Sequence, residues 1–281
     1  MYIRRAIHAG SWYPSSPHSI KSMIEKLSRP PLGPGGTPIL SETPNEHLVG
    51  ILVPHAGWVY SGSAALHAYV EAAKHGPRES VVMMGPNHYG IGGVVATMKN
   101  ARWETPLGML DVDDELVSKI LSSSKEIEDN PDAHFREHSL EVQLPFLAYV
   151  YGPDLKIVPI TMYTFTLDTA LHVGDIVAEA VDQSNILLLA TSDMSHYKPQ
   201  EIAEEHDRKT LEAILQMNEE KVFSIAEELE SLCGLGATVS LLRAAKKLGA
   251  KRAVLLKYYT SGDVTGDYSA VVGYASVAFY R

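Results

Sequence analysis

The sequence is short of several things, and each shortage excludes something. Its 281 residues include one cysteine, Cys233, which forbids an internal disulfide and fits a reducing, cytoplasmic setting. No run of 18 apolar residues occurs, so no spanning helix and no membrane partner are expected. The opening Met1-Tyr2-Ile3-Arg4-Arg5 leads into a polar segment without the apolar stretch of a secretory leader. Basic residues are the scarcer charge, 24 Lys and Arg against 34 Asp and Glu for a formal net charge of −10, and no stretch concentrates them. A nucleic-acid binder needs such a basic face, so no nucleic-acid partner is expected. Common chemical templates are also missing: no G-x-x-x-x-G-K-[ST], no H-E-x-x-H and no G-x-S-x-G. Gly234-Leu235-Gly236 opens a helical pattern but lacks the third glycine and the preceding strand of a dinucleotide fingerprint.

What is present belongs to a folded globular protein. Hydrophobic residues make up 45% and charged residues 21%, enough apolar material for a substantial core. Ser16-Pro17 opens a helix whose Ile20, Met23, Ile24 and Leu27 share one face. Arg29 to Glu46 carries five prolines and three glycines and reads as an exposed loop. Fewer than 30 residues precede it, too few for a core of their own, so a single domain over 1–281 is expected.

Beyond that loop, short apolar runs alternate with helical patterns. Strands are expected at Val49–Val53, Val81–Met84, Val94–Thr97, Lys156–Ile160, Ile186–Ala190, Ala253–Tyr258 and Ala270–Phe279, the last two as a hairpin. Helices are expected at Ser63–Ala73, Glu115–Leu121, Glu137–Val150, Leu167–Val181, Pro199–Gln216, Glu219–Ser231 and Ala237–Leu248. Fully apolar strands between helices imply an α/β fold: an α/β/α sandwich around a mostly parallel or mixed sheet.

In open α/β sheets, ligands bind beyond the carboxyl ends of the strands. Three of the expected strands each deliver a histidine within two to six residues of that end. They are His55 in Pro54-His55-Ala56-Gly57-Trp58-Val59-Tyr60, His88 in Gly85-Pro86-Asn87-His88, and His196 in Ser192-Asp193-Met194-Ser195-His196. Converging imidazoles with one anionic ligand suit a divalent transition metal such as Fe, Zn, Cu or Ni. The candidate anions are Asp193 and Cys233. Cys233 stands just before a helix start, which would lower its thiol pKa, while the plainer reading is a small buried apolar residue. His138 and Glu141 stand three apart on the expected Glu137–Val150 helix, a spacing that suits support of a ligating imidazole or contact with substrate. Glu137 reads more readily as a solvated acid at that helix start.

Together, Arg5-Ala6 to Trp12-Tyr13-Pro14, Val53 to Gly62, Gly85 to His88, Glu137-His138-Ser139-Leu140-Glu141-Val142-Gln143-Leu144-Pro145-Phe146 and Ser192 to Tyr197 resemble the Memo family over nearly the whole chain. That family is similar in fold to the class III extradiol ring-cleaving dioxygenases, which hold non-haem Fe(II). The resemblance implies His55, His88 and Cys233 as metal ligands and His196 as the acid/base with Asp193 beside it. Asn87, Trp58, Tyr60, His138 and Glu141 are expected as supporting or substrate-binding residues around them. The dioxygenases carry a glutamate where Cys233 stands. A thiolate is softer and more oxidisable, so ring cleavage is not carried over. Animal members of the family resemble adaptors or redox proteins, with phosphotyrosine-peptide binding and copper or iron binding proposed. Three functions follow as expectations. The first is a cytoplasmic Fe- or Cu-binding protein with oxidoreductase chemistry. The second is a non-catalytic module taking a peptide or small anion in the same cleft, and the third a zinc-dependent hydrolase.

Overall fold

The structure is a computed structural model and describes residues 1–45, 47–163, 166–181 and 185–281. In chain order the elements begin with β1 (Tyr2–Arg4), α1 (Pro17–Leu27), β2 (Leu48–Val53), α2 (Trp58–Lys74), β3 (Ser80–Pro86), β4 (Val95–Thr97), β5 (Ala101–Thr105) and β6 (Gly108–Val112). Next come α3 (Asp114–Ser123), β7 (Ile127–Asp129), α4 (Asp132–Phe135), a 3-10 turn at Glu141–Gln143, α5 (Leu144–Tyr151), β8 (Lys156–Met162) and α6 (Leu167–Val181). The last third holds β9 (Ile186–Thr191), β10 (His196–Lys198), α7 (Gln200–Leu215), α8 (Glu219–Leu229), α9 (Leu235–Lys247), β11 (Arg252–Thr260), α10 (Gly262–Thr265) and β12 (Val271–Tyr280).

All strands join one mixed sheet, whose central order is β6-β8-β3-β9-β2-β12. β6, β8, β3, β9 and β2 run parallel to one another, and β12 closes antiparallel against β2. β2, β3, β8 and β9 are buried along almost their whole length because helices cover both faces. One group of helices is α1, α2 and α5, with α2 on β2, β11 and β12. The other is α3, α6, α8 and α9, with α9 on β2, β3, β8 and β9. This is the expected α/β sandwich. Its helix starts are written locally: Ser16 accepts from Ser19 N, Asp113 from Leu116 N and Asn218 from Lys221 N, each satisfying a first-turn donor.

Register places the site. Val53 of β2 pairs with Thr191 of β9, and Met84 of β3 with Ala190 of β9. The three parallel strands therefore end level, and the residues that follow each meet at one sheet edge.

Several expectations need correction. The Glu137–Val150 helix is not formed: Glu137 to Leu140 are irregular, a 3-10 turn spans Glu141–Gln143, and helix begins at Leu144. Buried polar bonds, described below, hold those residues out of a helix. The helix expected from Ser63 starts five residues earlier, at Trp58. The connection in the C-terminal hairpin contains α10. Strands β1, β5, β6, β7 and β10 were not expected; most are short or edge pieces without a long apolar run. The loop from Arg29 is found as expected, running along α2 and β11 with Leu32 O beside His67 Nε2 and Pro31 O accepting from Lys257 Nζ. Its last residue, Glu46, lies outside the described residues. No helix among the described residues is long and apolar enough to cross a membrane.

Candidate metal centre

His55 follows β2 by two residues and is buried. Its backbone N–H and that of Ala56 both donate to Asp193 Oδ1, at 2.8 and 3.2 Å, tying the β2 tip to the β9 tip. Its Nδ1 lies 2.9 Å from Thr191 Oγ1 and its Nε2 3.1 Å from Cys233 Sγ. If Nδ1–H donates to Thr191, Nε2 carries the lone pair. Gln143 supports this from the 3-10 turn, donating to Pro54 O and Thr191 Oγ1 while accepting from Tyr69 OH.

His88 follows β3 by two residues and is partly exposed. Glu137 grips it twice: Oε1 accepts from His88 Nδ1 at 2.9 Å and Oε2 from the His88 backbone N–H at 2.6 Å. Glu137 Oε1 also accepts from Ser139 N. Burial alone would raise the Glu137 carboxyl. The hydrogen bond from His88, the fields of His88 and His138, and the Ser139 N–H outweigh it and bring the pKa down to about 2. An ionised carboxylate on Nδ1–H fixes the tautomer and leaves Nε2 as the basic nitrogen, the arrangement that orients metal-ligating histidines. Sequence reasoning had set Glu137 aside as a solvated acid; it is buried, and its role depends on a partner 49 residues away.

Cys233 reaches the same point from the loop before α9. Cys233 N donates to Asp193 O and Gly234 N to Ser192 Oγ, so this loop lies directly across the end of β9. Gly234 makes that approach possible: a Cβ there would sit 2.2 Å from Thr191 O. The expected lowering of the Cys233 pKa is not found. Burial and then the Asp193 charge push the thiol up, against the Asp193 N–H that donates to Sγ. A bound cation would reverse that by taking the thiolate directly.

Ligand atoms of His55, His88 and Cys233 all lie within 4.8 Å of one another. The donor set fits a metal by edge length as well. With metal–N near 2.05 Å and metal–S near 2.3 Å, an N···S edge of about 3.1 Å subtends roughly 90° and one of about 3.5 Å a tetrahedral angle. The observed 3.1 Å between His55 Nε2 and Cys233 Sγ matches the first. Burial, then the charge of His88, hold His55 well below the ordinary histidine range, so its imidazole is neutral as ligation requires.

A second group, His88, Glu137 and His138, also lies within 4.8 Å. Here the rings argue against ligation. His138 stacks on His88 at 4.5 Å and 16°, so the two imidazoles direct their in-plane lone pairs along separate parallel planes that one ion cannot share. His55 and His88 meet at 82°, which lets both converge. Trp12 covers the other face of His138 at 4.0 Å. Burial, then the charge of His55, bring His138 down to about 2, and its buried Nδ1 lies 3.5 Å from Glu137 Oε1 without a hydrogen bond.

The other expected residues divide. His196 is half-buried, its charge acts on His55 and Asp193, and its ring nitrogens make no hydrogen bond among the described residues. Its strand is anchored one residue earlier, where buried Asp207 accepts from Ser195 N. The Asp193 carboxylate does not hold the His196 ring; it serves the His55 and Ala56 backbone, and burial raises its pKa. Asn87 donates to Ile91 O, shaping the turn that presents His88. Trp58 faces the core, stacked on Phe146 at 3.8 Å with Nε1 on Val142 O. Tyr60 is exposed on the first turn of α2. Glu141 is fully buried and pairs with Arg4, accepting also from His8 N and Tyr13 OH. Arg4 further donates to Glu137 O and His134 O, binding the N-terminal strand to the segment that carries Glu137. Arg4, Thr191, Gln143 and Trp12 were not read as site residues.

Matches to known proteins bear on the family and the fold. The family model "Memo-like protein" matches residues 4–278. A MEMO1 family protein of Methanopyrus kandleri is 42% identical over 276 residues, 97% of each chain. One of Nitrosopumilus maritimus is 42% identical over 278 residues, 99% of each. The crystal structure of uncharacterized protein JW3007 from Escherichia coli K12 superposes with a TM-score of 0.55 at 11% identity, covering 82% of this chain and 99% of that one, and shows a shared fold. The family match over nearly the whole length, with relatives at about this identity end to end, places the chain in the Memo family.

Proposed function

We propose that this Memo-family chain binds a redox-active metal, Fe(II) or Cu, through His55, His88 and Cys233, and uses it in oxidoreductase chemistry. The observation that carries the reading is the Glu137–His88 pair beside the His55–Cys233 contact: one buried carboxylate fixes the tautomer of one ligand, and the second ligand's nitrogen already faces a thiol. Three protein donors leave positions open for substrate, and a metal there would supply electron transfer or Lewis acidity. His196, half-buried and without a hydrogen bond on its ring, acts as the acid/base. Asp193 supports the site by holding the β2 tip to the β9 tip through the His55 and Ala56 N–H groups rather than by direct contact with His196.

The unbonded His196 ring also favours a second reading, a zinc hydrolase in which it serves as base to a bound water. Metal content of anaerobically purified, tag-free protein decides between them. Iron or copper near one per chain, lost in His55→Ala and His88→Ala variants that still fold, supports the first. Zinc in the same place supports the second. Metal content unchanged by both substitutions refutes the ligand set.

A further inference from the structure

On the flank of the metal centre a cavity of about 340 Å³ opens between α8 and the start of α9. Its walls are mainly apolar, from Pro86, Met162, Phe223, Leu232 and Leu235, and Cys233 also lines it. Of the proposed ligands Cys233 lines the cavity, and Pro86, which ends β3 two residues before His88, lines it too.

The other side chains on the wall give the cavity a sign. Glu227 and Glu230 line it, both are exposed, and neither has an ion-pair partner among the described residues. No Lys or Arg lines it. Glu230 closes α8 in the left-handed conformation, φ 48°, where a helix end usually takes glycine. The volume is at the small end for ligand pockets, room for one ring and a short chain rather than a nucleotide or peptide.

We propose that this cavity holds the apolar body of a small amine, a single ring or compact aliphatic group, with its ammonium at Glu227 and Glu230 and its body against Cys233. The proposal deepens the metal-centre reading and rests on it for the reaction, since it names the substrate class for that site. A carboxylate-bearing molecule of the same shape is disfavoured by the two acids and by the net charge of −10.

Because Cys233 is the sole cysteine, its alkylation, slow because burial and the Asp193 charge keep the thiol protonated and so followed over hours at alkaline pH, reports occupancy directly in metal-free protein. Iodoacetamide alkylation is followed by mass spectrometry with benzylamine, benzyl alcohol or benzoate present, three probes sharing one ring. Benzylamine is expected to slow alkylation at concentrations roughly tenfold below benzyl alcohol, and benzoate to do so weakest, as two nearby charges at high dielectric allow. The Glu227→Gln/Glu230→Gln double variant changes only exposed groups and should level that order. No protection by any probe, equal protection by all three, or an order unchanged in the double variant overturns the proposal. Metal content of the same preparation is measured separately: protection without any metal binding refutes the metal reading and leaves the amine site, and metal without protection does the reverse.

Discussion

Exchanging Glu137 for Gln tests the centre at the point where the structure is most specific. The swap keeps size and removes one charge and one acceptor. Both carboxylate oxygens are engaged with His88, Oε1 on Nδ1 and Oε2 on the backbone N–H. An amide has one oxygen. If that oxygen stays on Nδ1, the NH2 faces the buried His88 N–H, donor against donor. If it stays on the backbone, the NH2 faces Nδ1, which must become the acceptor, and the proton then moves to Nε2, where a metal ligand needs a lone pair. Either outcome weakens binding. Losing such an oriented partner typically costs 10–100-fold in metal affinity, about 1.4–2.7 kcal/mol. Competition titration of metal-free protein against a chromophoric chelator at pH 7.5 measures this, and chemical denaturation of the same samples separates it from unfolding. A Gln variant that binds within about twofold of wild type would refute the claim that Glu137 sets the His88 tautomer, or that His88 ligates at all.

Three further outcomes follow from the same geometry. Stability of the metal-free protein should fall as pH drops below about 6.5, because burial keeps His134 near 3 and His138 near 2 in the fold while the unfolded chain takes up both protons near 6.5. Two such groups amount to on the order of 4 kcal/mol between pH 7.5 and 5, and a flat urea midpoint over that range would contradict it. The Glu137 contribution runs lower: its depressed carboxyl stabilises the fold above about 4.5 and is lost toward pH 2. Gly234→Ala should cost roughly 2 kcal/mol or more, since its Cβ meets the Thr191 carbonyl rather than a movable side chain, and should lower metal content by shifting Cys233; normal melting and metal content would refute that. His196→Ala should leave metal content unchanged and lower any measured turnover by ~10²–10⁴, whereas lost metal would make His196 a ligand.

What was legible in the sequence was whatever one segment could express alone. The apolar runs around Ile51, Met83, Ile157 and Leu188 had to be buried on both faces, and that implied the layered fold. The rule that ligands gather past parallel strand ends then brought out His55, His88 and His196. Glu137 was misread and Arg4 missed because their meaning lies between distant segments. The pattern from Glu137 to Val150 has helical spacing, yet its first residues serve Arg4, His8 and His88 instead, and each of those partners is at least 49 residues away. Periodicity reports how a segment would bury itself in isolation. It has no access to a buried arginine arriving from residue 4.

The same distinction explains how the support around the centre is divided. His55 and Cys233 are set by backbone: Asp193 holds two N–H groups of the β2 tip, and Gly234 lets the Cys233 loop lie against β9. His88 is set by a side chain, Glu137, whose segment is held by Arg4 from the N-terminal strand. Two of the proposed ligands thus inherit their positions from the central parallel sheet, while the third depends on the chain's first strand reaching a loop more than a hundred residues later. Perturbing Arg4 or its partner Glu141 should therefore loosen His88 before it disturbs His55 or Cys233. An Arg4→Lys variant in which all three positions shift together, read by the histidine ring resonances and by Cys233 alkylation rate, would show instead that the centre moves as one body with the sheet.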